Sequence, residues 1–246
     1  MSLAGKVAVI TGGNTGIGKA TALKLAEQGA SIVINYLVDP PAADTLVEQI
    51  GADRATAVQG DASKLGEIQK LVDAAVAKFG KIDILFANAA VMRMRDLEST
   101  TEEEFDLIYS TNVKGPYFLC QKAAPHMPPG SRVILVSTGV CSLSQVPPTY
   151  LLYASAKGAI EQMTHVMSKD LARRGILVNA IQPGPIGTDF FYQEKPEAML
   201  KAIQGFSPFN RVGVPEEVAN CVSFLCSKES SWVAGHILKI NGAMAT

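Results

Sequence analysis

Histidine and cysteine are scarce, three and four residues in a chain of 246. The cysteines (Cys120, Cys141, Cys221 and Cys226) form no Cys-x-x-Cys pair, and none has zinc spacing with a histidine. No metal site is expected. Free thiols suit a reducing compartment, so a cytoplasmic location is expected. Charge of one sign is missing too. The net charge is -1 and no stretch runs basic, so the electrostatic footprint of a nucleic-acid binder is absent. Long apolar runs are also lacking. The longest have strand length, far short of the roughly 20 residues of a membrane span. The N-terminal run from Val7 to Ile10 leads straight into a glycine cluster. It reads as part of the fold and not as a leader.

What is present is 48 % hydrophobic and 18 % charged. That composition suits one large domain, 1–246, with a sizeable core. Near-continuous apolar runs fall at 7–11, 32–36, 55–59, 84–87, 133–137, 177–181 and 237–240. They read as strands covered on both faces, with helix-length segments between them. Such β–α alternation predicts an α/β domain with a doubly wound, seven-stranded parallel sheet. Thr101-x-x-Glu104 reads as a capping box, Pro215-Glu216-Glu217 as a helix opening, and Gly29, Gly80 and Gly175 as helix stops. Charged residues within the helices read as solvated faces. Only 188–211 breaks the rhythm. It carries Phe190, Phe191, Tyr192, Met199, Leu200, Phe206 and Phe209 after the sixth strand. Ligands bind at the carboxyl ends of such strands, so this segment reads as a substrate lid, with a subunit interface as the alternative.

Two motifs carry chemistry. The turn 11–18 is Thr-Gly-Gly-Asn-Thr-Gly-Ile-Gly, set between a strand and a helix. Its glycines let backbone N–H groups approach a pyrophosphate, and the helix dipole points at the same anion. In this βαβ context the turn predicts dinucleotide binding. The second motif, Tyr153-x-x-x-Lys157, is weak in isolation. Here it opens the helix after the fifth strand, where i and i+4 put phenol and ammonium on one face near the glycine turn.

With these segments in view the chain resembles the short-chain dehydrogenases/reductases along nearly its whole length. The turn 11–18, Gly60-Asp61-Ala62, Thr111-Asn112-Val113, Asn179, Pro183-Gly184 and the tail 209–217 are similar to the family's. So is Asn88-Ala89-Ala90, where Ala87 and Ala90 depart from the family pattern. The resemblance implies a Rossmann fold and hydride transfer to or from a carbonyl. It implies Tyr153 as proton donor, with Lys157 lowering its pKa and holding the nicotinamide ribose. Asn112 is implied to anchor a water of the proton relay; its plain alternative is a helix-kink residue beside Gly115-Pro116. The family's serine, thirteen residues before the tyrosine, falls here on Val140. Matching the strand end instead gives Thr138, with Ser142 and Ser137 as fallbacks.

The implied cofactor groove comprises Gly12, Asn14, Thr15, Gly16, Ile17, Gly18, Asn35, Tyr36, Asp61 and Ala62. It continues through Asn88, Ala89, Ala90, Tyr153, Lys157, Pro183, Gly184, Ile186 and Thr188. An acid at the end of the second strand would select NAD. Tyr36 stands there instead, so NADP (NADPH) is expected, with Asn35 and Tyr36 as hydrogen-bonding groups. NAD stays admissible, because Thr15 and Leu37 fill the positions where a basic residue would secure the phosphate, and Asp39 follows. Met92, Met94, Leu143, Tyr150, Phe190 and Phe191 suggest a lipophilic or aromatic carbonyl substrate. The rival activity is a 3-ketoacyl-carrier-protein reductase, for which only Arg93 and Arg95 offer a basic docking surface. The rival of another class is a catalytically weak, cofactor-binding regulatory protein. Apolar faces left over around 105–121 and 151–171 match the family's homotetramer or homodimer.

Overall fold

A computed structural model describes residues 2–192 and 197–245, the Phe190 side chain excepted. Seven strands alternate with helices. In chain order they are β1 (Val7–Ile10), α1 (Gly16–Glu27), β2 (Ser31–Tyr36), α2 (Pro40–Ile50), β3 (Ala55–Gln59), α3 (Leu65–Phe79) and β4 (Ile84–Ala87). Then come α4 (Glu102–Tyr109), α5 (Gly115–Ala123), β5 (Arg132–Val136), α6 (Leu151–Ala172) and β6 (Leu177–Pro183). The chain closes with α7 (Asp189–Tyr192), α8 (Glu197–Gln204), α9 (Pro215–Cys226) and β7 (Ile237–Ile240). The strands form one all-parallel sheet in the order β3-β2-β1-β4-β5-β6-β7.

The apolar runs are continuous because both faces of the sheet are covered. On one side Ile68 and Leu71 of α3, Leu119 of α5 and Ile160 of α6 pack on Val9, Leu85 and Val133. On the other, Leu25 of α1, Leu46 of α2 and Val222 of α9 pack on Ile10, Ile32 and Phe86. The outermost strands β3 and β7 are only partly covered, as edges are. Strand order reverses between β1 and β4, which opens a crevice at their carboxyl ends.

Local chemistry sets the helix ends. Thr101 caps α4 by accepting from Glu104 N at 3.2 Å. The reciprocal half of the expected capping box does not form, because the Glu104 carboxylate pairs with Arg95 at 2.7 Å. In α9 Glu217 accepts from Val214 N at 2.9 Å. A π turn, Ser110–Lys114, separates α4 from α5. A Cβ on Gly115 would meet the Ala62 carbonyl at 2.4 Å, so glycine is what lets α5 pass the loop after β3. No helix among the described residues is long and apolar enough to cross a membrane.

Candidate active site

The glycine turn lies in the crevice between β1 and β4. Gly12 (φ 57°) and Gly16 (φ 51°) take left-handed backbone conformations. A Cβ on Gly18 would stand 2.0 Å from the Gly12 carbonyl, so the turn closes only around glycine. Asn88 donates through Nδ2 to the Thr11 and Gly12 carbonyls, each at 3.0 Å. Ala89 N donates to Thr11 Oγ1 at 3.0 Å. The ends of β1 and β4 are stitched together by these bonds. Thr15 opens α1 without turning its hydroxyl back on the helix, so the first-turn amides face outward. Left-handed glycines and an open helix N-terminus fit a dinucleotide pyrophosphate. Thr188 closes the other side; its methyl lies 3.1 Å from where a Cβ on Gly16 would stand.

At the adenosine end the polar side chains are more committed than their types suggest. Asn35 is buried, and its amide donates to the Gly60 carbonyl at 2.8 Å. Its main-chain carbonyl accepts from Gly13 N at 2.9 Å. Asn35 therefore braces the glycine turn through its main chain and the loop after β3 through its side chain. Asn14 likewise donates to the Val38 carbonyl at 2.9 Å. Tyr36 is also buried. Asp39 is left-handed (φ 64°) and caps α2 by accepting from Ala42 N at 3.2 Å. Asp61 accepts from Ser63 N at 2.8 Å through one carboxylate oxygen.

Asn112 is fully buried inside the π turn. Its side chain is spent on one residue: Oδ1 accepts from Val91 N at 2.9 Å, and Nδ2 donates to Val91 O at 2.8 Å. It pins the loop after β4. Any water that Asn112 anchors would therefore meet its main chain, and the residue does mark a break in helix geometry.

The candidate reacting groups gather at the exit of β5. Lys157 is 2 % exposed, and its Nζ donates to the Val136 carbonyl at 2.8 Å. The ammonium lies 5.9 Å from the Tyr153 ring centroid. Burial pushes the Lys157 ammonium down to about 8 and the Tyr153 phenol up to about 12, against which only the neighbouring Thr138 hydroxyl pulls it down. The expectation that Lys157 depresses Tyr153 is thus not met in this arrangement. Desolvation dominates, and the ammonium is turned to Val136.

Among the three candidate hydroxyls the partners differ. The Thr138 hydroxyl stands by the Tyr153 phenol and pulls its pKa down. Ser137 donates to Glu161 Oε1 at 2.6 Å, and Ser142 to Gln182 Oε1 at 2.9 Å. Tyr150 stands one turn ahead of Tyr153 and is half-buried, and burial raises its phenol. Met92, Met94 and Leu143 are half-buried in loops, and Phe191 is half-buried in α7. The Phe190 side chain lies outside the described residues. The segment 188–211 leaves and rejoins the body at one place: Ile186 bridges Gly213, with Gly187 N donating to Gly213 O at 2.8 Å.

Residues 12–244 match the family described as Enoyl-(Acyl carrier protein) reductase. The chain belongs to the short-chain dehydrogenase/reductase family of oxidoreductases. Among relatives, it is 36% identical to the Hydroxynaphthalene reductase-like protein Arp2 of Metarhizium brunneum, over 100% of this chain and 97% of that protein. It is 38% identical to the Short chain dehydrogenase mdpC of Emericella nidulans, over 99% and 96%. A short-chain dehydrogenase from Burkholderia cenocepacia solved in complex with NADP superposes with a TM-score of 0.94 at 31% identity, covering 99% of both chains. A blue fluorescent protein from a metagenomic library, in complex with NADPH, superposes with a TM-score of 0.93 at 30% identity and covers 100% of both. As a member of this family the chain has a site that reads as two rims: a backbone rim at β1 and β4, and a side-chain rim at β5 and β6.

Proposed function

We propose that this short-chain dehydrogenase/reductase is an NADP(H)-dependent reductase of ketones or aldehydes on lipophilic or aromatic small molecules. The observation that carries the reading is Thr138 on the Tyr153 phenol, with Lys157 one helical turn behind. Glycine turn, Thr15, Tyr36, Asp61, Asn88 and Thr188 would hold the dinucleotide, which supplies the hydride when bound. Thr138 holds the substrate oxygen beside Tyr153. The phenol, raised to about 12, is fully protonated at neutral pH and so is in the form that donates to the developing alkoxide. Donation from Thr138 stabilises the same oxygen as it gains charge. Lys157, cationic below about 8, would hold the nicotinamide ribose beside the phenol.

Aromatic substrates are favoured by the half-buried Met92, Met94, Leu143 and Tyr150, and by a relative named for hydroxynaphthalene reduction. Residues 188–211, pinned at both ends, form the lid of a single domain, 1–246. A carrier-protein substrate is disfavoured, since Arg95 is engaged by Glu104. The reading as a weak regulatory protein is disfavoured by the intact Thr138, Tyr153 and Lys157 cluster. Exposed Phe105, Tyr117, Leu151 and Val166 support a homo-oligomer, and four free thiols support a cytoplasmic location.

The test is cofactor oxidation with a panel of aliphatic and aromatic ketones, with NADPH and NADH titrated separately. NADPH should bind more tightly. Tyr36→Asp should reverse the preference by about ten- to a hundredfold, since its carboxylate would sit close to the 2′-phosphate. Tighter NADH binding by the parent would overturn the cofactor reading.

A further inference from the structure

Behind Thr138 and Tyr153 lies a polar cluster that the scheme above does not use. Glu161 stands two turns along α6 from Tyr153. Its Oε1 accepts from Ser137 Oγ at 2.6 Å and from Gln182 Nε2 at 2.7 Å. Gln182 in turn accepts from Ser142 Oγ at 2.9 Å. Ser137 and Gln182 are 2 % and 1 % exposed. One carboxylate oxygen therefore ties α6 to the exits of β5 and β6 and to the turn that Thr138 opens.

The order of the bonds matters. Three successive residues at the end of β5 each meet one residue of α6, spaced i, i+4 and i+8. Thr138 meets Tyr153, the Val136 carbonyl meets Lys157, and Ser137 meets Glu161. Ser137 is the residue between the other two, so its tie sets how far β5 runs along the helix before Thr138 leaves the sheet. Charge-assisted bonds of this length are among the stronger ones a protein makes. Losing this one frees a strand exit next to the reacting phenol. A shift of about 1 Å at a reacting group can cost about a hundredfold in rate.

We propose that Glu161 is a positioning residue, acting through Ser137 to hold the Thr138 hydroxyl on the Tyr153 phenol. The inference rests on the reductase reading, and its test separates the two. Parent, Glu161→Ala, Glu161→Gln, Ser137→Ala, Thr138→Ala and the double variant Glu161→Ala/Thr138→Ala are compared in ketone reduction. NADPH affinity is titrated by fluorescence, and the Thr138 methyl signal is followed by NMR.

Glu161→Ala and Ser137→Ala should each lower kcat by about tenfold or more, with KM for NADPH and its affinity within about twofold. Glu161→Gln should recover most of the loss, because one amide oxygen can accept from both Ser137 and Gln182. In the Thr138→Ala background, Glu161→Ala should cost less than about twofold, since its target is gone. The Thr138 methyl signal should shift or broaden in Glu161→Ala and stay in Glu161→Gln. Multiplying losses in the double variant, an unmoved methyl signal, or failure of Gln to rescue would each overturn the proposal. If the parent reduces no ketone, the reductase reading fails, and the methyl signal alone decides whether Glu161 positions Thr138.

Discussion

The two rims of the site are held by different kinds of atoms. At the ends of β1, β2 and β4 the amides of Asn14, Asn35 and Asn88 bind main-chain carbonyls, and a Cβ at Gly18 would run into the Gly12 carbonyl. At β5 and β6 side chain meets side chain: Thr138 with Tyr153, Ser137 with Glu161, Ser142 with Gln182. A rim made of backbone tolerates few residue types, so it announces itself in sequence. A rim made of side-chain pairs announces only its members. Which member meets which depends on where two strands and a helix finally stand.

The largest expected effect lies on the backbone rim. Gly18→Ala places a methyl 2.0 Å from the Gly12 carbonyl and 2.8 Å from Asn88 Nδ2, so the turn must open. NADPH affinity should fall by about a hundredfold or more, equivalent to about 3 kcal/mol, when titrated by fluorescence. Unchanged affinity would mean that the turn does not cradle the cofactor.

A smaller effect separates the hydroxyls of the side-chain rim. Thr138→Ala should lower turnover by about tenfold or more, the scale of a lost oxyanion donor, and Ser142→Ala by far less. A larger loss at Ser142 would show that spacing from Tyr153, and not the strand exit, sets the register.

The smallest effect is a divergence with pH. Lys157 is pushed from 10.5 to about 8. Below about 8 the folded protein carries the buried ammonium at full cost. From about 8 to 10.5 the unfolded chain holds more protons than the folded one, so stability rises with pH. Reduction should decline over the same window, as the cation behind Tyr153 is lost. Melting temperatures of the parent and Lys157→Met, scanned from pH 7 to 10.5, should converge toward the alkaline end. Parallel curves would mean that Lys157 is not depressed.

Much of this was legible in the sequence, and the exceptions share a cause. All seven strands stand where the apolar runs lie, three with the same bounds and four with ends displaced by one or two residues. β1 stops at Ile10, and β6 runs on to Pro183. The glycine turn and the Tyr153–Lys157 pair stand where spacing put them. Asn35 and Asn112 read as functional groups, and each also has backbone partners that the sequence does not show. Glu161 looked like part of a solvated helix face, yet it accepts two short bonds from strand exits. In each case the residue type is informative and the partner is not, because the partner lies on an element distant in sequence. The reach of Lys157 toward Val136 is of the same kind.

The central claim is that cofactor holding and proton delivery are assigned to separate rims, with Tyr153 as the proton donor. Tyr153→Phe tests it most directly, by turnover of the best ketone and NADPH affinity measured on the same preparation. Turnover should vanish while affinity stays within about threefold of the parent, since the phenyl ring keeps its packing and only the hydroxyl is lost. Retention of more than about a tenth of the parent's turnover, or a loss of turnover matched by an equal loss of affinity, would contradict the claim.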